Sequence, residues 1–272
     1  MTDQPHPPES SFAQRQVDHV FHYTKQISDV ISIIEKGFMP SYCEEQIGEM
    51  TYYFPMVSFC NIPIREVELY MHYGKFGIGL SLDWAISNGI SPVAYVHERS
   101  PLAQVHFQVN YTYLKKVFAD GVDYYTKKIV DPDMPEPSGE RDMQFLKEVN
   151  DITVPALQFM KGWKTMYQDK EIITYLEREW RYVPPVKEGR LVGSDEPDKI
   201  AGIKVRKKPH FSDYPLPIKD LKDLRYIVLE NNDYRRDVFE ALSARFHEEV
   251  VIEALINGEL FLLTSEQVRN DF

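Results

Sequence analysis

The chain reads as an α+β protein, a single domain built round a central mixed or antiparallel sheet, and three observations predict it. Residues 17–23 alternate as a half-buried strand does, and a helical pattern follows them at once. Further strand-like runs then recur without the regular strand–helix alternation of a parallel α/β sheet. Finally, 43% of the 272 residues are hydrophobic and 27% charged, the balance of a chain able to bury a core.

Taken in order, residues 1–16 read as a flexible polar arm in which Pro5, Pro7 and Pro8 block helix. The domain then runs over 17–272, with a helical and loop insertion at about 101–170. Thr24 is placed to cap a helix whose residues Ile27, Val30, Ile31 and Ile34 follow the i, i+3, i+4, i+7 template, and Gly37 closes it. Residues 55–60 form a strand stopped by Asn61 and Pro63, and 64–73 a short helix. Gly74, Gly77 and Gly79 surround a strand at 76–80, and Ser91-Pro92 opens another at 93–97. Residues 102–130 have helical spacing. Residues 131–151 hold seven acids, two bases and several prolines, as a loop or insertion does. Strands are expected at 180–183, 200–205 and 226–229, and an amphipathic helix at 234–247. Residues 250–256 and 260–263, joined at Asn257-Gly258, suggest a hairpin, since Asn-Gly suits a type I′ turn.

Charge and composition exclude several classes. With 31 Lys and Arg against 42 Asp and Glu, the net charge is −11, which argues against general nucleic-acid binding by phosphate neutralisation. No apolar run approaches the length of a transmembrane helix, and the polar, Pro-rich start lacks the regions of a signal peptide. A soluble, cytoplasmic protein is expected. The two cysteines, Cys43 and Cys60, lack metal-type spacing.

Candidate chemistry lies in a few places. His22-Tyr23-Thr24 ends a strand, on a rim where sites are assembled or where such residues simply pack. In Glu177-Arg178-Glu179-Trp180-Arg181, a strand would set both carboxylates on one face with Arg181 in the same row. The carboxylates would raise each other's pKa and the arginine would lower it, so the row could hold a ribose hydroxyl or act as a base. The alternative is a solvent-facing ladder of charges. Ser58 lacks the Gly-flanked elbow of a nucleophile, and Cys60, without an adjacent base, reads as packing. Residues 72–79 match neither a dinucleotide fingerprint nor a P-loop; their glycines permit close backbone approach at a turn, and His72 is a possible polar group in a pocket. The five bases of residues 199–208 fit a phosphate or acidic partner, or a blunted strand edge. His19 and His22 have no evident third metal ligand.

The blocks Phe21-His22-Tyr23-Thr24, Gly37-Phe38-Met39-Pro40-Ser41-Tyr42-Cys43-Glu44-Glu45, Pro55-Met56-Val57-Ser58-Phe59-Cys60-Asn61-Ile62-Pro63 and Tyr73-Gly74-Lys75-Phe76-Gly77-Ile78-Gly79-Leu80-Ser81 resemble the AbiGi family. The resemblance is strong over residues 17–97 and looser through 177–181. It implies a bacterial abortive-infection protein, the antitoxin of a two-gene phage-resistance system, with a cognate toxin as partner. A weaker resemblance, to ADP-ribosyltransferase-like folds, rests on the His-Tyr-Thr strand, the Ser-Phe strand and the Glu-x-Glu strand. That resemblance implies catalytic roles for His22, Glu177 and Glu179, with His22 on the ribose of NAD. It implies NAD contacts for Tyr23, Ser58, Tyr73 and Arg181, Tyr73 stacking on nicotinamide. The segment between Leu80 and Tyr175 is longer than a compact transferase needs. The two readings, interaction protein and NAD-dependent enzyme, are separated by whether His22, Ser58 and Glu179 converge in an open cleft.

Overall fold

Apolar alternation in the opening strand sets the centre of the sheet. The computed structural model describes residues 17–47, 50–67, 73–97, 99–103, 154–167, 170–185, 192–193 and 214–271. The expectations for the arm at 1–16, for most of the insertion, for His72 and for the basic stretch at 199–208 lie outside them. In chain order the elements are β1 (His19–Thr24), α1 (Ile27–Lys36), β2 (Ser41–Ile47), β3 (Met50–Cys60), β4 (Phe76–Ser81), α2 (Leu82–Ser87), β5 (Ser91–Pro92) and β6 (Ala94–Val96). Then come β7 (Met160–Gly162), β8 (Thr165–Tyr167), β9 (Lys170–Ile172), β10 (Glu179–Tyr182), β11 (Val192–Gly193), β12 (Leu224–Leu229), α3 (Arg235–Phe246), α4 (Glu248–Ile256), β13 (Phe261–Thr264) and α5 (Ser265–Asp271).

The architecture is α+β. Nine strands form one sheet in the order β13-β12-β4-β1-β3-β10-β5, with β2 and β11 also paired to β3. Its ladders are antiparallel except β12–β13, so the sheet is mixed. On one face Val20, Val57, Phe59, Ile78, Leu80 and Ile227 pack beneath α1, α3 and α4 in the main core. The opposite face carries two smaller apolar clusters, one round Phe21, Cys60 and Val228, the other round Phe54, Met56 and Met160. Ser58 lies between Met56 and Cys60 on that face of β3. Among the described residues no helix is long and apolar enough to cross a membrane.

The β1–α1 unit forms where expected, with two differences. Gln26, not Thr24, is the N-cap residue; the Thr24 hydroxyl donates to the Asp29 carboxylate at 2.5 Å instead. The buried stripe is Val30, Ile33 and Ile34, while Ile27 and Ile31 pack at its margin. Gly37 ends the helix at φ 86°, and a Cβ there would lie 2.5 Å from the Leu216 carbonyl oxygen. Gly77 and Gly79 sit mid-strand in β4 rather than at a turn. β1 pairs Phe21 with Gly79 and Tyr23 with Gly77, and the rings of these partners lie over the bare glycines.

Elsewhere the structure departs further. Of the expected 64–73 helix, residues 64–66 make a 3-10 turn, Val67 is helical, 68–72 lie outside the described residues, and Tyr73 is not helical. The strand expected at 93–97 is β6, which pairs in parallel with β7 outside the main sheet, while Ser91-Pro92 ahead of it is a separate strand, β5, at the edge of the main sheet. The expected terminal hairpin is a helix followed by a strand. α4 buries Val251 and Ala254 at i, i+3 spacing, and β13 lies parallel to β12. A short apolar run satisfies both periodicities. A parallel neighbour cannot be reached through a two-residue turn, so the chain crosses over through α3 and α4.

Candidate functional site

Five charged side chains meet on the sheet face opposite α1. β10 sets Glu179 against Cys60 and Arg181 against Ser58 of β3, so alternation turns both side chains to the Ser58 face. Glu45 arrives from β2 and Lys161 from β7. Glu177 is not on the strand: it ends the 3-10 turn Thr174–Glu177, and Arg178 takes a left-handed conformation (φ 46°, ψ 52°) before β10 begins. The turn still delivers Glu177 to the cluster, 3.2 Å from the Lys161 ammonium. None of this is a solvent-facing ladder, because Glu177, Glu179 and Arg181 are 6%, 1% and 0% exposed.

Glu179 is the hub. Its Oε1 accepts from the Ser58 hydroxyl at 3.0 Å and from Arg181 Nε at 2.7 Å. Its Oε2 accepts from Lys161 Nζ at 2.5 Å and from Arg181 Nη2 at 3.3 Å. An ionised carboxylate offers about four lone-pair positions. All four are filled by side chains of the same molecule. Arg181 also donates to Glu45 at 2.6 Å and to the carbonyls of Gln158 and Met160 at 2.8 and 3.1 Å. The Tyr73 hydroxyl donates to Glu177 at 2.5 Å, and the Tyr95 hydroxyl accepts from the Glu179 backbone N–H at 2.6 Å.

Protonation follows from these contacts. Burial would raise the Glu179 pKa, but the charges of Arg181 and Lys161 overcome it and hold the carboxyl at about 2. Burial pushes Glu45 up, against the pull of the same cations. Lys161 is raised: burial opposes its charge, and Glu179, Glu45 and Glu177 more than compensate. Burial also raises the Tyr73 hydroxyl, and the neighbouring Glu177 raises it further. A network satisfied in this way fixes geometry, whereas a buried ion pair adds little net stability over a well-packed apolar pair.

The predicted site residues divide between the two faces. Ser58, Tyr73, Glu177, Glu179 and Arg181 belong to the cluster just described. His22, by alternation with Phe21, turns to the α1 face, where its ring contacts Phe38 and Phe59 at centroid distances of 5.1 and 5.7 Å. Its Nδ1 is 2.9 Å from the Ser58 carbonyl oxygen, and burial lowers its pKa. Tyr23 stacks along Phe21 on the other face, ring centroids 6.2 Å apart. Sequence reasoning missed Glu45 and Lys161. The 41–47 strand carries a faint signal for Glu45, in register with Cys43 on one face; a lone lysine in β7 carries none. Burial likewise raises the Cys60 and Cys43 thiols, which makes them poor nucleophiles.

Fold and site together define an α+β protein with a buried cluster of three carboxylates and two cations that pair with one another. The chain belongs to the AbiGi family: the family model described as "Putative abortive phage resistance protein AbiGi, antitoxin" matches residues 36–230. It is similar to the abortive phage resistance protein AbiGi of Lactococcus lactis subsp. cremoris, 26% identical over 180 residues. That match covers 57% of this chain and 65% of the relative's length. No solved structure matches the chain.

Proposed function

We propose that this protein acts in bacterial abortive infection as the antitoxin of a two-gene phage-resistance system, a cytoplasmic protein that works by binding its cognate toxin. Family membership and the antitoxin in the family's description support the role. The observation that carries binding over catalysis is the filled carboxylate. Glu179 is 1% exposed and already accepts four donors from Ser58, Lys161 and Arg181. A ribose hydroxyl could reach it only by displacing one of them. His22 turns its ring to the other face of the sheet, away from that carboxylate.

The test expresses the neighbouring gene alone and together with this chain, scoring colony survival and phage plating. Rescue of growth on co-expression, with no heat on titrating the purified chain with NAD, is the expected result. Saturable NAD binding that Glu179→Gln weakens by roughly ten- to a hundredfold, with folding intact, would replace this reading with NAD-dependent ADP-ribosyl transfer.

A further inference from the structure

We propose that the outward side of α4, with the groove beside it, is the surface that receives the partner, and that the partner presents a basic amphipathic segment there. The proposal rests on the antitoxin reading and gives the partner its chemistry.

The exposed part of α4 carries Ile252 and Ile256, i and i+4 on one side of the helix, among its glutamates, and Val250 on the side that lines the groove. Ile256 is 79% exposed, Val250 47% and Ile252 40%. The inward side of the same helix is fully used, with Val251 and Ala254 buried in the core. Beside α4 lies a groove of about 210 Å³ walled by Leu221, Val250, Ala254 and Leu260. That is room for one or two inserted side chains.

Charge selects the occupant. Residues 248–264 contain Glu248, Glu249, Glu253 and Glu259, all exposed, and no lysine or arginine. Glu253 and Glu259 line the groove together with Asp220. The groove's own base, Lys222, is paired with Asp220 at 3.0 Å. An acidic rim repels nucleic acid and anionic lipid surfaces, both of which need positive charge on the protein. A second copy docked through the same patch would set these glutamates against one another. What complements the surface is a segment of a different protein with apolar residues for Ile252, Ile256 and the groove, and lysines or arginines for the glutamates. In this arrangement the exposed isoleucine anchors and the glutamates steer.

The probe is the purified product of the neighbouring gene, titrated into this chain at low and at high salt. Three chains are compared: wild type, Ile256→Asp, and Glu253→Lys combined with Glu259→Lys. All three positions are solvent-facing, and thermal melts confirm that the variants fold. Wild type is expected to bind with an affinity that falls as salt rises. Ile256→Asp should weaken binding at least about tenfold, and the double charge reversal should slow association and abolish most of the salt dependence. If wild type binds and both variants bind equally well, the partner docks elsewhere and this inference falls while the antitoxin reading stands. If wild type does not bind the neighbouring protein, the antitoxin reading falls and takes this surface with it.

Discussion

Replacing Lys161 with methionine tests the buried charge cluster most sharply. The substitution keeps a long unbranched side chain in the space and deletes the ammonium that lies 2.5 Å from Glu179, 3.2 Å from Glu177 and 3.9 Å from Glu45. Arg181 is then left to balance three buried carboxylates alone. Removing one partner of a buried ion pair destabilises by about 3–5 kcal/mol. The Lys161 side chain retains 14% exposure, so the lower end, about 3 kcal/mol at pH 7, is expected. The Glu179 shift gives a similar scale, because holding a carboxyl near 2 instead of 4.5 corresponds to about 3 kcal/mol.

The pH dependence has a definite sign. A carboxyl with a depressed folded-state pKa contributes stability that is present above its ordinary value of 4.5 and is lost as pH falls toward about 2. Glu45, raised by burial, contributes in the opposite sense as pH rises through its folded pKa. Without Lys161 the acids protonate more easily, so the gap between variant and wild type should narrow as pH falls from 7 toward 3. Chemical denaturation at pH 7, 5 and 3.5 reads this directly, and the melting temperature at pH 7 should drop by roughly 6–12 °C for a chain of this size. A loss under about 0.5 kcal/mol, surface-like in size, would refute the network, as would a loss that does not change with pH.

Three further outcomes are expected. Ile34→Ala should destabilise by about 2–5 kcal/mol, whereas Ile31→Ala, at the margin of the stripe, should lose clearly less; equal losses in denaturant melts would misplace the stripe. Gly79→Ala puts a methyl 2.7 Å from the Phe21 ring and 3.0 Å from Tyr226 Cβ, and should lower stability by about 1–3 kcal/mol, so an unchanged melting temperature would contradict the ring-over-glycine packing. Cys60, 6% exposed and with a raised thiol pKa, should resist a thiol reagent at pH 8 in the native protein and react fully once denatured; fast labelling of both cysteines in the native state would count against its placement.

Much of the central fold was legible because it is specified locally. β1, α1 and the Gly37 boundary announce themselves by alternation, by helical spacing and by a residue tolerant of positive φ. The Ser58 and Glu179–Arg181 strands were found for the same reason, and the proximity of Glu177, Glu179 and Arg181 was expected even though Glu177 reaches it from a turn. The terminal segment was misread because residues 250–256 suit either periodicity, and Asn257-Gly258 imitates a hairpin turn. Their helical state depends on burying Val251 and Ala254 against the core, which is a tertiary fact.

By itself, then, the sequence determined the α+β class, the first strand–helix unit, the family resemblance and most members of the charged cluster. Only the tertiary structure decided which face each of them occupies and who neutralises whom. The register of β10 on β3 brings Glu179 and Arg181 beside Ser58, β2 adds Glu45, and β7 adds Lys161. Alternation within a strand can be read from neighbours in sequence. Charge pairing across strands depends on register and on distance in space, and a single lysine in a three-residue strand carries no local sign of the three carboxylates it will meet.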